Sequence, residues 1–251
     1  MIYLVLSDIH GNLEALEAVL RHSRRKHYDA VLFLGDAVGY GASPNPVVDW
    51  LRTSRIPVIA VRGNHDRVCS GLDEGEYFNQ YALRAVQWTG AHLEVRNLRW
   101  LQALPEGPRQ VEPGLAICHG SPVDEDAYIF SGYDAQMAFD RLPEQVVFFG
   151  HSHVPSLFAA DGREAVPALS VRLLAGTRET ITIEDGIRYL INPGSVGQPR
   201  DRDPRAAYAL YDADTRRVRQ YRVPYRISSA RNRIVKAGLP AVLGDRLFYG
   251  S

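Results

Sequence analysis

Five short apolar runs lie within about the first 155 residues, and each breaks off in side chains with metal-binding chemistry. Ile2–Leu6 is followed by Asp8 and His10, Val31–Leu34 by Asp36, and Ile56–Val61 by Asn64 and His65. Leu115–Cys118 is followed by His119, and Val146–Phe149 by His151 and His153. Apolar runs of this length, bounded by turn residues, read as buried strands. If the five belong to one largely parallel sheet, all of these side chains share its carboxyl edge, where α/β proteins bind ligands. A lone Asp-x-His or His-x-His is an ordinary turn; the same chemistry at all five exits is not. Five of the eight histidines sit there, while His22, His27 and His92 fall in helical segments among polar neighbours and read as solvated.

Helical patterns separate the runs. Leu13, Leu16, Val19 and Leu20 recur at helical spacing, and Asn45-Pro46 supplies a cap and first-turn proline for a helix carrying Val47, Val48 and Leu51. Further helices are expected over Tyr81–His92, Leu98–Leu104 and Ala135–Leu142. From Ser156 onward, β-rich runs alternate with Asp-Gly and Asn-Pro-Gly turns, and Ala206–Tyr211 with Val218–Val223 reads as an antiparallel hairpin. Alternation followed by hairpins predicts an α/β protein of two sheets packed face to face with helices outside. With no repeat or low-complexity linker, residues 1–251 read as one domain.

The composition narrows the function classes. With 29 basic and 29 acidic residues the formal net charge is zero, which removes the usual warrant for a nucleic-acid or membrane-surface protein. The stretch from Arg216 to Lys236 holds eight basic residues and no acid, and reads as solvated faces of a hairpin and a helix. No segment approaches the roughly 20 apolar residues of a membrane span, and the N-terminal run is too short for a signal-peptide core. Cys69 and Cys118 are the only cysteines, so no disulfide framework is expected and the setting reads as reducing and cytoplasmic.

Without His65, the exits supply Asp8, His10, Asp36, Asn64, His119, His151 and His153. Seven donors exceed one four-coordinate zinc and suit two cations with open positions; the absence of thiolate disfavours a structural zinc or iron–sulfur centre. An aspartate can bridge two cations, and Asp36 is the natural candidate. Two divalent ions against two carboxylates leave excess positive charge, which favours an anionic substrate and a bridging hydroxide, as in two-metal displacement at phosphorus.

The motifs SDIHGN, GD, GNHD, CHG and GHSH, in that order, resemble the calcineurin-like metallophosphoesterase superfamily, and the later INPGSVGQPRD resembles its small bacterial and archaeal phosphodiesterases. The resemblance implies a four-layer α/β/β/α sandwich of two mixed sheets and two divalent transition-metal ions, manganese first, with iron, zinc or nickel also in use across the family. It implies that Asp8, His10 and His153 hold one metal, that Asn64, His119 and His151 hold the other, and that Asp36 bridges. By the same similarity His65 is no ligand but protonates the leaving oxygen or steadies the phosphoryl group, with Asp66 orienting its ring.

The related protein phosphatases and diadenosine tetraphosphate hydrolases follow GD with an arginine that clamps phosphate. Here the stretch reads Gly35-Asp36-Ala37-Val38-Gly39-Tyr40-Gly41, and Asp66 follows His65 where the phosphatases have Glu. The expectation is therefore a phosphodiesterase acting on a small phosphate ester such as a nucleotide, with a symmetrical diadenosine-tetraphosphatase-like or phosphomonoesterase activity as the alternative. Asn12, Tyr40, Arg62, Asn192 and Arg200 are candidates for the substrate side. The retromer's metallophosphoesterase-like subunit represents a non-enzymatic alternative, an interaction scaffold, though such scaffolds tend to lose ligands that this chain retains. A nuclease is disfavoured by the zero net charge.

Overall fold

In the computed structural model, which describes residues 1–163 and 168–251, each of the five apolar runs contains a strand. The chain runs β1 (Ile2–Leu6), α1 (Leu13–Ser23), β2 (Ala30–Phe33), α2 (Pro44–Thr53), β3 (Val58–Ala60), α3 (Asn64–Cys69), α4 (Gln80–His92) and α5 (Val95–Gln102). Next come β4 (Arg109–Glu112), β5 (Leu115–Ile117), α6 (Gly132–Arg141), β6 (Val146–Phe148), β7 (Ser156–Asp161) and β8 (Ala168–Leu173). The remainder is β9 (Arg178–Thr182), β10 (Ile187–Asn192), β11 (Ala206–Asp212), β12 (Arg217–Val223), α7 (Ile227–Lys236) and α8 (Ala241–Asp245).

The runs do not share one sheet. One sheet has the order β3-β2-β1-β11-β12-β9 and the other β4-β5-β6-β10-β7-β8. Strands β1, β2 and β3 are parallel in the first, and β5, β6 and β10 in the second. The C-terminal strands do not form a separate layer: β11 pairs antiparallel with β1, and β10 pairs parallel with β6, so each sheet is completed from the far end of the chain.

Side-chain alternation then builds the layers. Tyr3 and Val5 of β1 face Phe148 of β6 and Ile191 of β10 in a buried cluster between the sheets, while Leu4 and Leu6 face Leu16 and Val19 of α1 and Val47 of α2. On the far side, Val147 and Leu190 pack against Ala135, Ala138 and Phe139 of α6. This period-2 division gives the expected α/β/β/α sandwich.

Two details differ from the sequence reading. Helix α2 begins at Pro44 after Ser43; Asn45, instead of capping it, accepts from Glu94 N and donates to His92 O. Strands β4 and β8, the edge strands of the second sheet, were not expected: β4 is largely polar, and β8 keeps its side chains largely at the surface although Leu169, Val171 and Leu173 alternate.

Candidate metal centre

Hydrogen-bonded turns bring the strand exits together. Asp8 N donates to Gly35 O, His10 N to Asp36 O and Gly11 N to Ala37 O, zipping the loops after β1 and β2 together. Gly150 N donates to His119 O, joining the loops after β5 and β6 in the same way. The Asn192–Arg200 segment fastens the assembly, since Gly197 N donates to Asp8 O and Arg200 N to His153 O. The two carboxyl edges thus meet where the sheets abut.

The backbone there is strained. Asp8, His10, Asp36, Tyr40, His151 and His153 all have positive φ, between 35° and 63°; among the described residues only Arg202 and Arg216 share that state without being glycine. Left-handed backbone is tolerated by Asp, Asn and His but costs free energy, and such residues cluster where surrounding structure imposes them. Gly63 lies so close to this loop that a Cβ would sit 2.1 Å from Asp36 Oδ1. Only glycine fits there.

All seven predicted donors come together and are buried. Donor atoms of Asp8, His10, Asp36 and His153 lie within 4.8 Å of one another, as do those of Asp36, His119 and His151, so Asp36 belongs to both groups. Its Oδ2 is 3.5 Å from His10 Nε2 and also 3.5 Å from His119 Nε2. Asn64 Oδ1 lies 3.3 Å from His119 Nε2, which places it in the second group.

The hydrogen-bond partners of the histidines suit the cluster to a cation. His10 Nδ1 is 3.0 Å from Val38 O, His153 Nδ1 is 2.6 Å from Gln198 O, and His119 Nδ1 is 2.8 Å from Leu34 O. His151 is turned over, with Nε2 3.0 Å from Asp126 O. A carbonyl only accepts, so each ring spends its N–H outward and aims a lone pair inward. The inward nitrogens then oppose one another at 3.1 Å, His10 against His153 and His119 against His151. Asp8 Oδ1 is buried beside them with no hydrogen-bond donor.

Burial holds His10, His151 and His153 well below the ordinary imidazole range, which keeps them neutral. It pushes the Asp8 carboxyl up to about 7, and burial together with the Asp66 charge raises Asp36 well above its ordinary value. Opposed lone pairs and desolvated carboxylates are what a divalent cation would relieve.

His65 is buried over this floor, its ring 4.7 Å from His10, 4.4 Å from Tyr40 and 4.6 Å from Phe78. Asp66 does not orient that ring, as the resemblance implied. Its oxygens accept instead from the backbone N–H groups of Asp36, Val38 and Gly63, locking the Asp36 loop to the start of α3, and His65 Nδ1 has no partner.

The substrate-side candidates divide. Tyr40 and Arg200 line a cavity of about 210 Å³ over the donors, with His65, Tyr77, Phe78 and Tyr128. Arg200 Nη2 donates to Gln198 Oε1 and reaches Tyr40 Oη at 3.4 Å. The other three are engaged in the scaffold. Asn12 caps α1 and donates to Gly197 O; Asn192 donates to Gly150 O and Ser152 Oγ. Arg62 is paired with Glu106 and Glu125.

That pairing leads to residues the sequence reading missed. Arg67 binds Glu125, Asp126 and Asp73, and its Nη2 also reaches Tyr77 Oη. Asp126 in turn supplies the carbonyl for His151, and Tyr128 stacks on the His151 ring at 4.0 Å. The bare string Pro122-Val-Asp-Glu-Asp-Ala-Tyr128 carries no periodicity to announce this role.

A family model for the calcineurin-like phosphoesterase superfamily domain matches residues 1–216. The chain belongs to that superfamily. This phosphoesterase is 37% identical to the uncharacterized protein MJ0912 of Methanocaldococcus jannaschii, over 98% of its own length and 97% of that protein's. It is 38% identical to a metallophosphoesterase from Sphaerobacter thermophilus, whose crystal structure superposes with a TM-score of 0.86, covering 100% of this chain and 99% of that one. The hypothetical protein PH1004 from Pyrococcus horikoshii OT3 shares the fold at 20% identity and a TM-score of 0.76, covering 100% and 98% of the two chains. The superfamily binds divalent metals and hydrolyses phosphate esters, and the Asp/His clusters of this phosphoesterase suit a metal site. Among the described residues no helix is long and apolar enough to cross a membrane.

Proposed function

We propose that this protein is a dinuclear metal-dependent phosphodiesterase, with residues 1–251 acting as one domain. The observation that carries the reading is the doubled set of inward-aimed histidine lone pairs sharing one carboxylate, Asp36. Asp8, His10 and His153 would hold one ion and Asn64, His119 and His151 the other, with Asp36 between them. Manganese is the expected ion, and iron, zinc or nickel would suit the same donors. Bound there, two cations polarise a phosphoryl oxygen and make water acidic enough to attack phosphorus at neutral pH.

The remaining work falls to this chain's side chains. His65, held neutral by burial and by the neighbouring His10, lies over the donors, where its ring N–H can give a hydrogen bond to the phosphoryl or leaving oxygen. Arg200, which has no carboxylate within ion-pair distance among the described residues, faces the same cavity and would neutralise a non-bridging phosphoryl oxygen. It stands in for the arginine missing after Gly35-Asp36. Tyr40 and Phe78 wall the cavity and restrict water around the reacting group.

The substrate is a small phosphate ester. A cytoplasmic setting stays part of the proposal, supported by two buried free cysteines. The test is metal analysis of the purified protein, followed by hydrolysis of bis-p-nitrophenyl phosphate and p-nitrophenyl phosphate with added Mn²⁺. Two bound ions and faster turnover of the diester are expected. A protein that binds no transition metal and hydrolyses neither ester would overturn the proposal in favour of a scaffold.

A further inference from the structure

Beside the metal cleft lies a second cavity of about 290 Å³ that shares Tyr40 and Asn79 with it. Its other lining residues are Gln80, Tyr81, Val242, Leu243 and Arg246. None of these seven is acidic, and Arg246 is the one charged member. The amino end of α4 also borders this cavity, but Asn79 already caps it by accepting from Tyr81 N and Ala82 N. The cavity's positive character therefore comes from Arg246.

Tyr40 lines both cavities, with Arg200 on the first and Arg246 on the second, and neither arginine is paired with an aspartate or glutamate among the described residues. The acids of the same region are committed elsewhere: Asp201 to Arg222, Asp203 to Arg205 and Asp245 to Arg231. Arg246 Nε donates to Ser251 O, while its terminal nitrogens have no hydrogen-bond partner among the described residues. Burial, and then the adjacent Arg200, hold its guanidinium below the ordinary value. Two half-buried arginines on adjoining cavities, with Asp201, Asp203 and Asp245 each paired to a different arginine, are an arrangement that an incoming anion would relieve.

We propose that the cleft continues into a second anion subsite at Arg246, so that the preferred substrate is a phosphate ester carrying a second phosphate. The scissile group sits over the metal donors beside Arg200, and the second phosphate passes Tyr40 to meet the Arg246 guanidinium. The inference rests on the phosphoesterase reading for which phosphate is cleaved, but its binding claim is measured without turnover.

The experiment is titration calorimetry of the Mn²⁺-loaded protein with alkylphosphonates and with α,ω-alkane bisphosphonates of increasing chain length, none of which can be hydrolysed. At the best spacing the bisphosphonate is expected to bind about tenfold more tightly than its monophosphonate, the effect of one added charge-assisted contact. Arg246→Gln should erase most of that ratio, and Arg246→Lys, which keeps the charge, should retain most of it. Equal affinity of mono- and bisphosphonates at every spacing, or a preference that survives Arg246→Gln, overturns the subsite and leaves the phosphoesterase reading standing. Failure of the loaded protein to bind either kind of phosphonate overturns both.

Discussion

The two donor groups of the candidate metal centre, the poles of the site, are held in place by different routes. The pole of Asp8, His10 and His153 is built on main chain: Val38 O and Gln198 O fix the two rings, in loops that hydrogen-bond directly to one another. The group of Asn64, His119 and His151 also uses main-chain carbonyls, Leu34 O and Asp126 O, but Asp126 sits on a segment held in place by side chains. His151 is turned by Asp126 O and covered by Tyr128, on a segment tethered through Glu125 and Asp126 to Arg67 and through Glu125 to Arg62. A pole built on backbone survives most side-chain changes around it. A pole built on an ion-pair network is open to mutation several residues away from any ligand.

Asp36 belongs to both poles, so its loss should be the largest effect. Asp36→Ala should release both metals and reduce ester hydrolysis to the uncatalysed background, as read by metal analysis beside a bis-p-nitrophenyl phosphate assay. Retention of one ion would show that the poles are independent. His65 touches neither pole as a ligand. His65→Ala should lower turnover by about 10²- to 10³-fold, the usual cost of losing one hydrogen-bond donor to the charge that develops in the transition state. Metal content should be unchanged, and a fully active variant would remove His65 from the chemistry.

Arg67 separates the poles. Arg67→Ala should weaken one metal by about 10- to 100-fold, the ordinary cost of losing an outer support, and leave the other at wild-type affinity. Metal-binding titrations of the variant against wild type would show two separated steps. Parallel loss of both ions would mean that the network supports the whole fold and not one pole. The smallest effect is expected from Tyr128→Leu, which removes the ring stacked on His151, an interaction worth about 1 kcal/mol. A several-fold rise in that same metal's dissociation constant is the expected reading, and an unchanged value would assign the tethering to Arg67 and Glu125 alone.

Much of the site was legible because its residues are local to strand ends. An apolar run that stops at Asp8 or at His151 announces both the strand and the donor in a few adjacent letters. Residues that act through distant partners left no such mark. Arg62 looks like a phosphate ligand beside Gly63-Asn64-His65, yet it points to Glu125. Asp66 follows His65 directly, but its carboxylate is spent on the backbone of Asp36, Val38 and Gly63. Edge strand β4 left no mark because a strand without a buried face needs no alternation, whereas β8 does alternate at Leu169, Val171 and Leu173 and is set apart from a core strand only by its exposure.

The strand–helix alternation, seven candidate donors and the likeness to the phosphoesterase superfamily are all written in short-range pattern and motif, and the sequence alone carries them. Only the tertiary structure decided that three exits come from one sheet and two from the other, and that their carboxyl edges abut. It also decided which ring nitrogens face inward, because tautomers are set by carbonyls as distant as Val38 for His10 and Gln198 for His153. The same holds for the unpaired Arg200 and Arg246. Whether an arginine is free for a ligand depends on which acids the fold has already given to other arginines, and that is a property of packing in three dimensions.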